Sequence, residues 1–225
     1  MNEFSFSNVL DQGWQYAKQH GLLIAVFTLI IQLVSSGASA LLTPANALNS
    51  YMAGLQHGYV NTEALAQAYS ATPVTTLLSI VLDAFVAAMV LGIVNGAYSK
   101  PDFAACKLPL MTYVKYIGVT IILAVLVVVG FICFIIPGVI LAIRLQYAGL
   151  CVLDDTECGI GEAFKRSWKM TSGHSLTLLG LVFAYIVMAV VGVLCLFVGV
   201  FFAAALINFC STVAYTMLRD DRIDA

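Results

Sequence analysis

The sequence predicts an all-α polytopic membrane protein with six transmembrane helices. Of its 225 residues, 61% are hydrophobic and only 10% are charged, whereas a soluble domain carries about 25% charged residues. Long apolar runs alternate with short polar segments along the whole chain. Almost all Lys and Arg residues fall in the polar segments that lie on the same side when the chain is threaded through a membrane, which is the asymmetry that orients membrane proteins.

Four apolar runs supply the six helices. A spanning helix needs about 20 apolar residues, and residues 21–42 and 74–97 each fit one helix. Residues 116–153 and 176–218 are each long enough for two helices joined by a tight turn. We therefore expect one long connection, the outer loop 43–73, and two compact hairpins.

The turn of the first hairpin is predicted at Pro137 and Gly138, because Pro lacks an amide donor and Gly favours turns. The second hairpin is expected to turn within residues 192–199. The fourth helix, 138–153, is about 24 Å long at 1.5 Å per residue, which is shorter than the ~30 Å hydrocarbon core. A re-entrant hairpin for helices three and four stays an alternative.

Threading with both termini in the cytoplasm brings nine basic residues to one side of the membrane. Arg144 is the exception, because it lies inside an apolar run. The nine residues are Lys18, Lys100, Lys107, Lys115, Lys165, Arg166, Lys169, Arg219 and Arg222.

A threefold repeat is predicted within a single membrane domain, residues 1–225. The units cover approximately residues 4–98, 101–153 and 159–218, and each begins with an amphipathic segment that two spans follow. Aligning the first and third segments superimposes Trp14 on Trp168, the only tryptophans of the chain. The middle segment, 103–115, follows the pattern more loosely.

The amphipathic segments are predicted to contact lipid at the membrane interface, where Trp and basic residues are typical. We expect Leu10, Trp14 and Ala17 to share one apolar face, and Ala163, Phe164, Trp168 and Met170 to face the bilayer in the third segment. The alternative is an anchor that only orients the following span. The candidate lipid-contact residues are Trp14, Lys18, Lys165, Arg166, Trp168 and Lys169.

Asp83 and Arg144 are charged residues inside apolar runs, and such residues are functional candidates. The repeat alignment separates them by twelve residues, or about 18 Å of depth, so we do not expect them to pair directly. Arg144 is close enough to the inner end of its helix to reach lipid phosphates, and structural capping is the other interpretation. For Asp83, a structural carboxyl group and an ion or proton site both stay open.

Four amide side chains also lie in apolar runs. Amides in such positions commonly form hydrogen bonds between helices, and lining a polar path is the alternative. The residues are Gln32, Asn95, Gln146 and Asn208.

Several classes of function lack support. The six cysteines form no Cys-x-x-Cys pair, the three histidines are dispersed, and the net charge is −2, so neither a metal site nor nucleic-acid binding is expected. The acidic cluster Asp154, Asp155, Glu157 and Glu162 is interpreted as a loop that caps the following basic helix. We expect no catalytic residues and no cofactor.

Two stretches resemble a known family. Residues 136–145 read Ile-Pro-Gly-Val-Ile-Leu-Ala-Ile-Arg-Leu, and residues 161–171 read Gly-Glu-Ala-Phe-Lys-Arg-Ser-Trp-Lys-Met-Thr, with Leu-Asp-Asp at 153–155 between them. This pattern resembles the YciC-like bacterial inner-membrane proteins, whose function is uncharacterised, and the membrane domain of some glycerophosphodiester phosphodiesterases. The resemblance implies six helices in the bacterial cytoplasmic membrane. It supplies no catalytic residues.

The sequence thus favours a non-catalytic integral membrane protein that acts through lipid or protein contacts, with an envelope or membrane-organising role. A transporter or channel for a small molecule, ion or lipid that uses Asp83 and Arg144 is the alternative. The expected partners are membrane lipids, and a homo-oligomer or a membrane-protein partner is left open.

Overall fold

The computed structural model describes residues 4–42, 53, 62, 72–96 and 108–223, and the regular structure within these ranges is helical, without strands. The predicted outer loop 43–73 and the start of the predicted middle segment, 103–107, lie almost wholly outside the described residues. The helices are α1 (Phe6–Leu42), α2 (Thr72–Val94), α3 (Leu110–Cys133), α4 (Ile135–Leu145), α5 (Ala148–Asp154), α6 (Ile160–Thr171), α7 (Ser175–Leu194) and α8 (Leu196–Ile223).

The prediction of an all-α membrane protein with six spans is confirmed. Six helical segments among the described residues are long and apolar enough to cross a membrane: Phe6–Ala38, Pro73–Val94, Leu110–Cys133, Ile136–Asp154, Ser175–Leu194 and Gly199–Asp221. The threefold repeat stays a prediction.

Two helices differ from their predicted bounds. Helix α1 starts at Phe6 and continues through the first amphipathic segment into the span without interruption. The predicted fourth helix consists of α4 and α5, which a turn at Gln146 and Tyr147 separates. The third amphipathic segment is a separate helix, α6, because Gly173 adopts a φ of 97° before α7 begins, a conformation that favours glycine.

The first hairpin turns at Phe134, whose φ of −162° and ψ of 145° are extended, rather than at Pro137. Pro137 lies in the first turn of α4, where an amide has no partner within the helix and its loss costs little. Gly138 lets the two helices approach: a Cβ there would lie 2.8 Å from the Phe131 nitrogen, and one on Gly130 would lie 2.9 Å from the Gly138 Cα.

The second hairpin turns at Cys195, within the expected residues 192–199. It uses a glycine pair in the same way. A Cβ on Gly192 would lie 2.7 Å from the Ala203 Cβ, and one on Gly199 would lie 2.6 Å from the Gly192 carbonyl oxygen. Close approach of backbones at small residues is the usual basis of helix association in membranes.

The described chain forms two compact units. The first comprises Met1–Thr28 and Ala84–Ala225, and the second comprises Leu29–Asp83. The core of the first unit joins residues of α1, α3, α5, α7 and α8 with Tyr147 of the turn before α5, and it includes Val9, Val119, Val152, Leu178 and Leu218. In the second unit, large apolar side chains such as Leu33, Val34, Val74 and Leu77 are exposed, as expected for surfaces solvated by lipid.

One end of the first unit is polar. Here Asn95, which follows α2, and Arg219 of α8 both donate hydrogen bonds to Asp154 at the end of α5. The Lys115 ammonium near the start of α3 donates to the Thr156 carbonyl at 2.7 Å. We call this the polar end, and the turns at Phe134 and Cys195 lie at the other ends of the same helices.

Candidate functional site at helix α6

Helix α6 has a buried face and an exposed face of different chemistry. It contacts α3, α4, α5 and α8. Its buried residues are Ala163, Ser167, Met170 and Thr171. Its exposed side includes Trp168, Lys165, Arg166 and Lys169. The expectation that Ala163 and Met170 face the bilayer is therefore wrong, because protein covers them, whereas Trp168 is 42% exposed.

The buried face docks onto the end of α4 through hydroxyl groups. The last carbonyls of a helix have no partner within it, and the Arg144 carbonyl is one of these. Ser167 Oγ donates to this carbonyl at 2.8 Å. Thr171 Oγ1 lies 3.3 Å from it but has a nearer acceptor, the Ser167 carbonyl at 2.8 Å. A hydroxyl from a neighbouring helix thus satisfies a carbonyl that membrane hydrocarbon could not.

The side chain of Arg144 also turns toward α6. Its guanidinium carbon lies 4.7 Å from the centroid of the Trp168 ring, and Nη1 donates to Ser172 Oγ at 3.3 Å. A cation over an indole face is attracted by the ring quadrupole. Arg144, Ser167, Trp168 and Thr171 therefore form one junction between α4 and α6.

Arg166 is neutralised by carboxylates of its own region. It pairs with Asp155 at 2.8 Å and with Glu162 at 2.8 Å. The hydrogen bond from Arg166 lowers the pKa of Asp155 below its ordinary value of 3.8, and the two carboxylates raise the pKa of Arg166. No ion pair of Lys165 or Lys169 occurs among the described residues, so these lysines carry the uncompensated charge of α6.

A second polar cluster surrounds Asp154. Arg219 Nη1 lies 2.9 Å from one carboxylate oxygen, and Tyr215 Oη donates to the same oxygen at 2.9 Å. Asn95 Nδ2 donates to the other oxygen at 3.3 Å. The cluster links the ends of α2, α5 and α8. Asp154 thus has a structural role that the sequence reasoning assigned only generally to an acidic loop.

The remaining intramembrane candidates are spread over the chain. Asp83 lies on α2 within the second unit, and Gln32 lies on α1 in the same unit, with an exposed side chain. Gln146 follows α4, and Asn208 donates to the Ala204 carbonyl of its own helix at 3.1 Å. Among these four positions and Asn95, the described hydrogen bonds show a link between helices only for Asn95.

Trp14 and Lys18 of α1 lie beside a part of α8 that is far from the polar end. The Trp14 ring packs edge-to-face on Phe202 at 6.2 Å, and Lys18 Nζ lies 5.4 Å from the Trp14 centroid. Phe202 and Arg219 are seventeen residues apart, or about 26 Å along the helix. The structure thus separates Lys18 from Arg219, although the sequence grouped them on one side, because continuous α1 packs along α8 through Gly13 and Gly21.

Two apolar grooves open on the surface of the first unit. One, of about 390 Å³, runs beside α6 and is lined by Leu126, Leu141, Leu145, Phe164, Lys165 and Trp168. The other, of about 590 Å³, lies between α1, α7 and α8, and Trp14, Met188, Gly199 and Phe202 are among its lining residues. Both volumes are typical of small-molecule sites.

Sequence reasoning missed the residues that join the helices: Gly13, Ser167, Thr171 and Tyr215. Their spacing carried a signal, because Ser167 and Thr171 are four residues apart and so share one face of α6. The described residues contain no group of three His, Cys, Asp or Glu side chains that could hold a metal ion.

No family model, curated protein or solved structure matches the chain. The resemblance to YciC-like proteins therefore stays a prediction.

Proposed function

We propose that the protein is a non-catalytic integral membrane protein that acts by binding anionic lipids at the exposed face of α6. The observation that carries the proposal is the uncompensated charge of Lys165 and Lys169 beside the exposed Trp168 ring. An amphipathic helix with basic and aromatic residues at a membrane boundary attracts anionic lipid, and each basic residue near such a surface contributes about 1 kcal/mol.

We further propose, from the distribution of Lys and Arg, that α6 faces the cytoplasmic leaflet of a bacterial inner membrane and that both termini are cytoplasmic. The junction with Arg144 supports a lipid-binding role for α6, because the Ser167 hydroxyl and the contacts of the Arg144 side chain with Trp168 and Ser172 fix the helix to α4. A fixed helix presents its lysines at defined positions relative to the protein.

The test compares Lys165→Gln with the double variant Glu162→Gln and Arg166→Gln in the full-length protein, reconstituted in bilayers of phosphatidylglycerol and phosphatidylcholine. The first substitution removes one positive charge, whereas the double variant removes an ion pair and leaves the net charge unchanged. The enrichment of spin-labelled phosphatidylglycerol around the protein should fall about fivefold for Lys165→Gln and further for Lys165→Gln with Lys169→Gln. It should change little for Glu162→Gln with Arg166→Gln.

Equal losses for Lys165→Gln and for Glu162→Gln with Arg166→Gln would reject the proposal, and so would unchanged enrichment in the variant that lacks both Lys165 and Lys169. The transport alternative is tested in the same bilayers with Asp83→Asn, which should leave lipid enrichment unchanged. A loss of solute flux on that substitution would favour transport.

A further inference from the structure

We infer that the groove beside α6 holds one acyl chain of a single anionic glycerophospholipid, whose phosphate group lies at Lys165. This inference rests on the proposed function and deepens it: it turns a general preference for anionic lipid into one stoichiometric binding site.

The groove borders the part of α3 that faces lipid. Leu126 of α3 is 38% exposed and lines the groove, and its neighbours Ile122, Val125 and Val129 are more exposed still. Together with Leu141, Leu145 and Phe164, Leu126 gives the groove apolar walls. Because these walls continue the apolar outer surface of a spanning helix, hydrocarbon is the occupant that the surroundings supply.

The charged groups are placed for a phosphate at the rim. Successive i, i+4 pairs form neighbouring stripes on a helix. Phe164 and Trp168 form the stripe that lines the groove, and Lys165 and Lys169 form the adjacent stripe. Lys165 lines the groove itself.

Glu162 and Arg166 form the next stripe beyond the lysines and neutralise each other in part. Arg144 lies above the Trp168 ring but is not part of the lining. An apolar groove with a lysine in its lining is complementary to a lipid with an acyl chain and an anionic headgroup, whereas a purely apolar partner would leave Lys165 uncompensated.

The deciding experiment fills the groove from the side of α3. Leu126→Trp places a bulky ring in the groove without disturbing a buried position, and Val125→Trp adds the same ring at the adjacent exposed residue, which is not part of the lining. Each full-length protein is released from nanodiscs of phosphatidylglycerol and phosphatidylcholine, and the lipid it retains is counted by native mass spectrometry.

We expect the wild type and Val125→Trp to retain one phosphatidylglycerol, and lysophosphatidylglycerol, which has one chain, to replace it. Leu126→Trp should weaken the binding of phosphatidylglycerol about tenfold, the effect of excluding roughly two methylene groups, and so lower the retained fraction. Thermal unfolding of both variants provides the control for folding.

Equal retention by Leu126→Trp and Val125→Trp would overturn the inference, and so would a protein dimer that Leu126→Trp disrupts. Either result would leave the proposed function intact if Lys165→Gln still lowered bilayer enrichment. Unchanged enrichment in the lysine variants would instead reject the proposed function.

Discussion

The first segment of α1 and helix α6 bury residues at equivalent positions of their alignment, but against different surfaces. In the alignment of Trp14 with Trp168, the buried residues Val9, Gly13 and Ala17 correspond to Ala163, Ser167 and Thr171, which are also buried. The exposed residues differ in charge, since Asp11 and Gln15 correspond to Lys165 and Lys169.

The residue types of the stripe match the surface that covers it. Gly13 lies against the side chain of Cys210, so α1 contacts α8 by close approach at a small residue. Ser167 donates a hydrogen bond to the Arg144 carbonyl, so α6 contacts a helix end that needs a donor. Periodicity therefore predicts which stripe is buried, and the chemistry of the stripe indicates what it is buried against.

The largest effect is expected from Gly13→Ala. The added methyl group would overlap the Cys210 sulfur and lie 3.1 Å from the Cys210 Cα, so α1 and α8 must separate. Overpacking of this kind costs about 1–3 kcal/mol, measured as a lower thermal unfolding temperature of the full-length protein in detergent.

The same substitution at Gly161 of α6 is the matched control, because a Cβ there meets no atom within 4 Å. It should stabilise the protein by roughly 0.5 kcal/mol through the helix propensity of Ala. If both substitutions had the same sign, the close approach of α1 to α8 would be rejected.

An intermediate effect is expected from Ser167→Ala. This change removes the 2.8 Å hydrogen bond to the Arg144 carbonyl, and Thr171 Oγ1, which lies 3.3 Å from that carbonyl, can turn toward it from the Ser167 carbonyl. The cost should be about 1 kcal/mol, and the double variant with Thr171→Val should lose more than the sum of the two single changes. Strict additivity would show that the Thr171 hydroxyl does not replace that of Ser167.

The smallest effect concerns the loop before α6. Because Arg166 holds the folded-state pKa of Asp155 below 3.8, the ionised carboxylate stabilises the fold at pH values above 3.8. This contribution is lost as the pH falls through the folded-state pKa. The side chains of Arg166 and Asp155 are 45% and 39% exposed, so solvent screens the pair and the effect should be small.

The measurement is the difference in unfolding temperature between wild type and Asp155→Asn, followed from pH 6 to about pH 2. The wild type should be the more stable protein at the upper end, and the difference should vanish at the lower end. A difference that grows with acidification would contradict the assigned ion pair.

The fold class and the six spans were predictable because length and apolarity alone limit how a chain crosses hydrocarbon. The face of each amphipathic segment was harder to predict. Apolarity favoured bulky Trp14 as a contact residue and overlooked Gly13, yet in lipid a large apolar side chain can stay outside while small residues join the helices. The turn at Gln146 and Tyr147 also had no Pro or Gly to mark it.

The candidate site at α6 also combines features that the sequence predicted with features that it could not predict. The sequence predicted Lys165, Trp168 and Lys169 as candidates from the basic-aromatic pattern. It could not separate Arg166 from them, because its neutralisation depends on where the loop places Asp155. The link between Arg144 and α6 connects residues more than twenty positions apart, and only tertiary structure reveals it.

The nonequivalence of the two segments can be tested with the chain's own tryptophans. Trp168 lies in α6 beside Arg144 and Ser172, shortly before α7 begins at Ser175. Trp14 instead lines the same groove as Val187 of α7. Val187 is twelve residues beyond Ser175, or about 18 Å along α7. The variants Trp14→Phe and Trp168→Phe each leave one fluorophore.

Fluorescence quenching by lipids brominated at different positions of the acyl chain then reports the depth of each ring. The structure predicts that shallow bromines quench Trp168 and deep bromines quench Trp14. Equal, shallow quenching of both tryptophans would contradict the assignment and place the two segments at equivalent positions in the membrane.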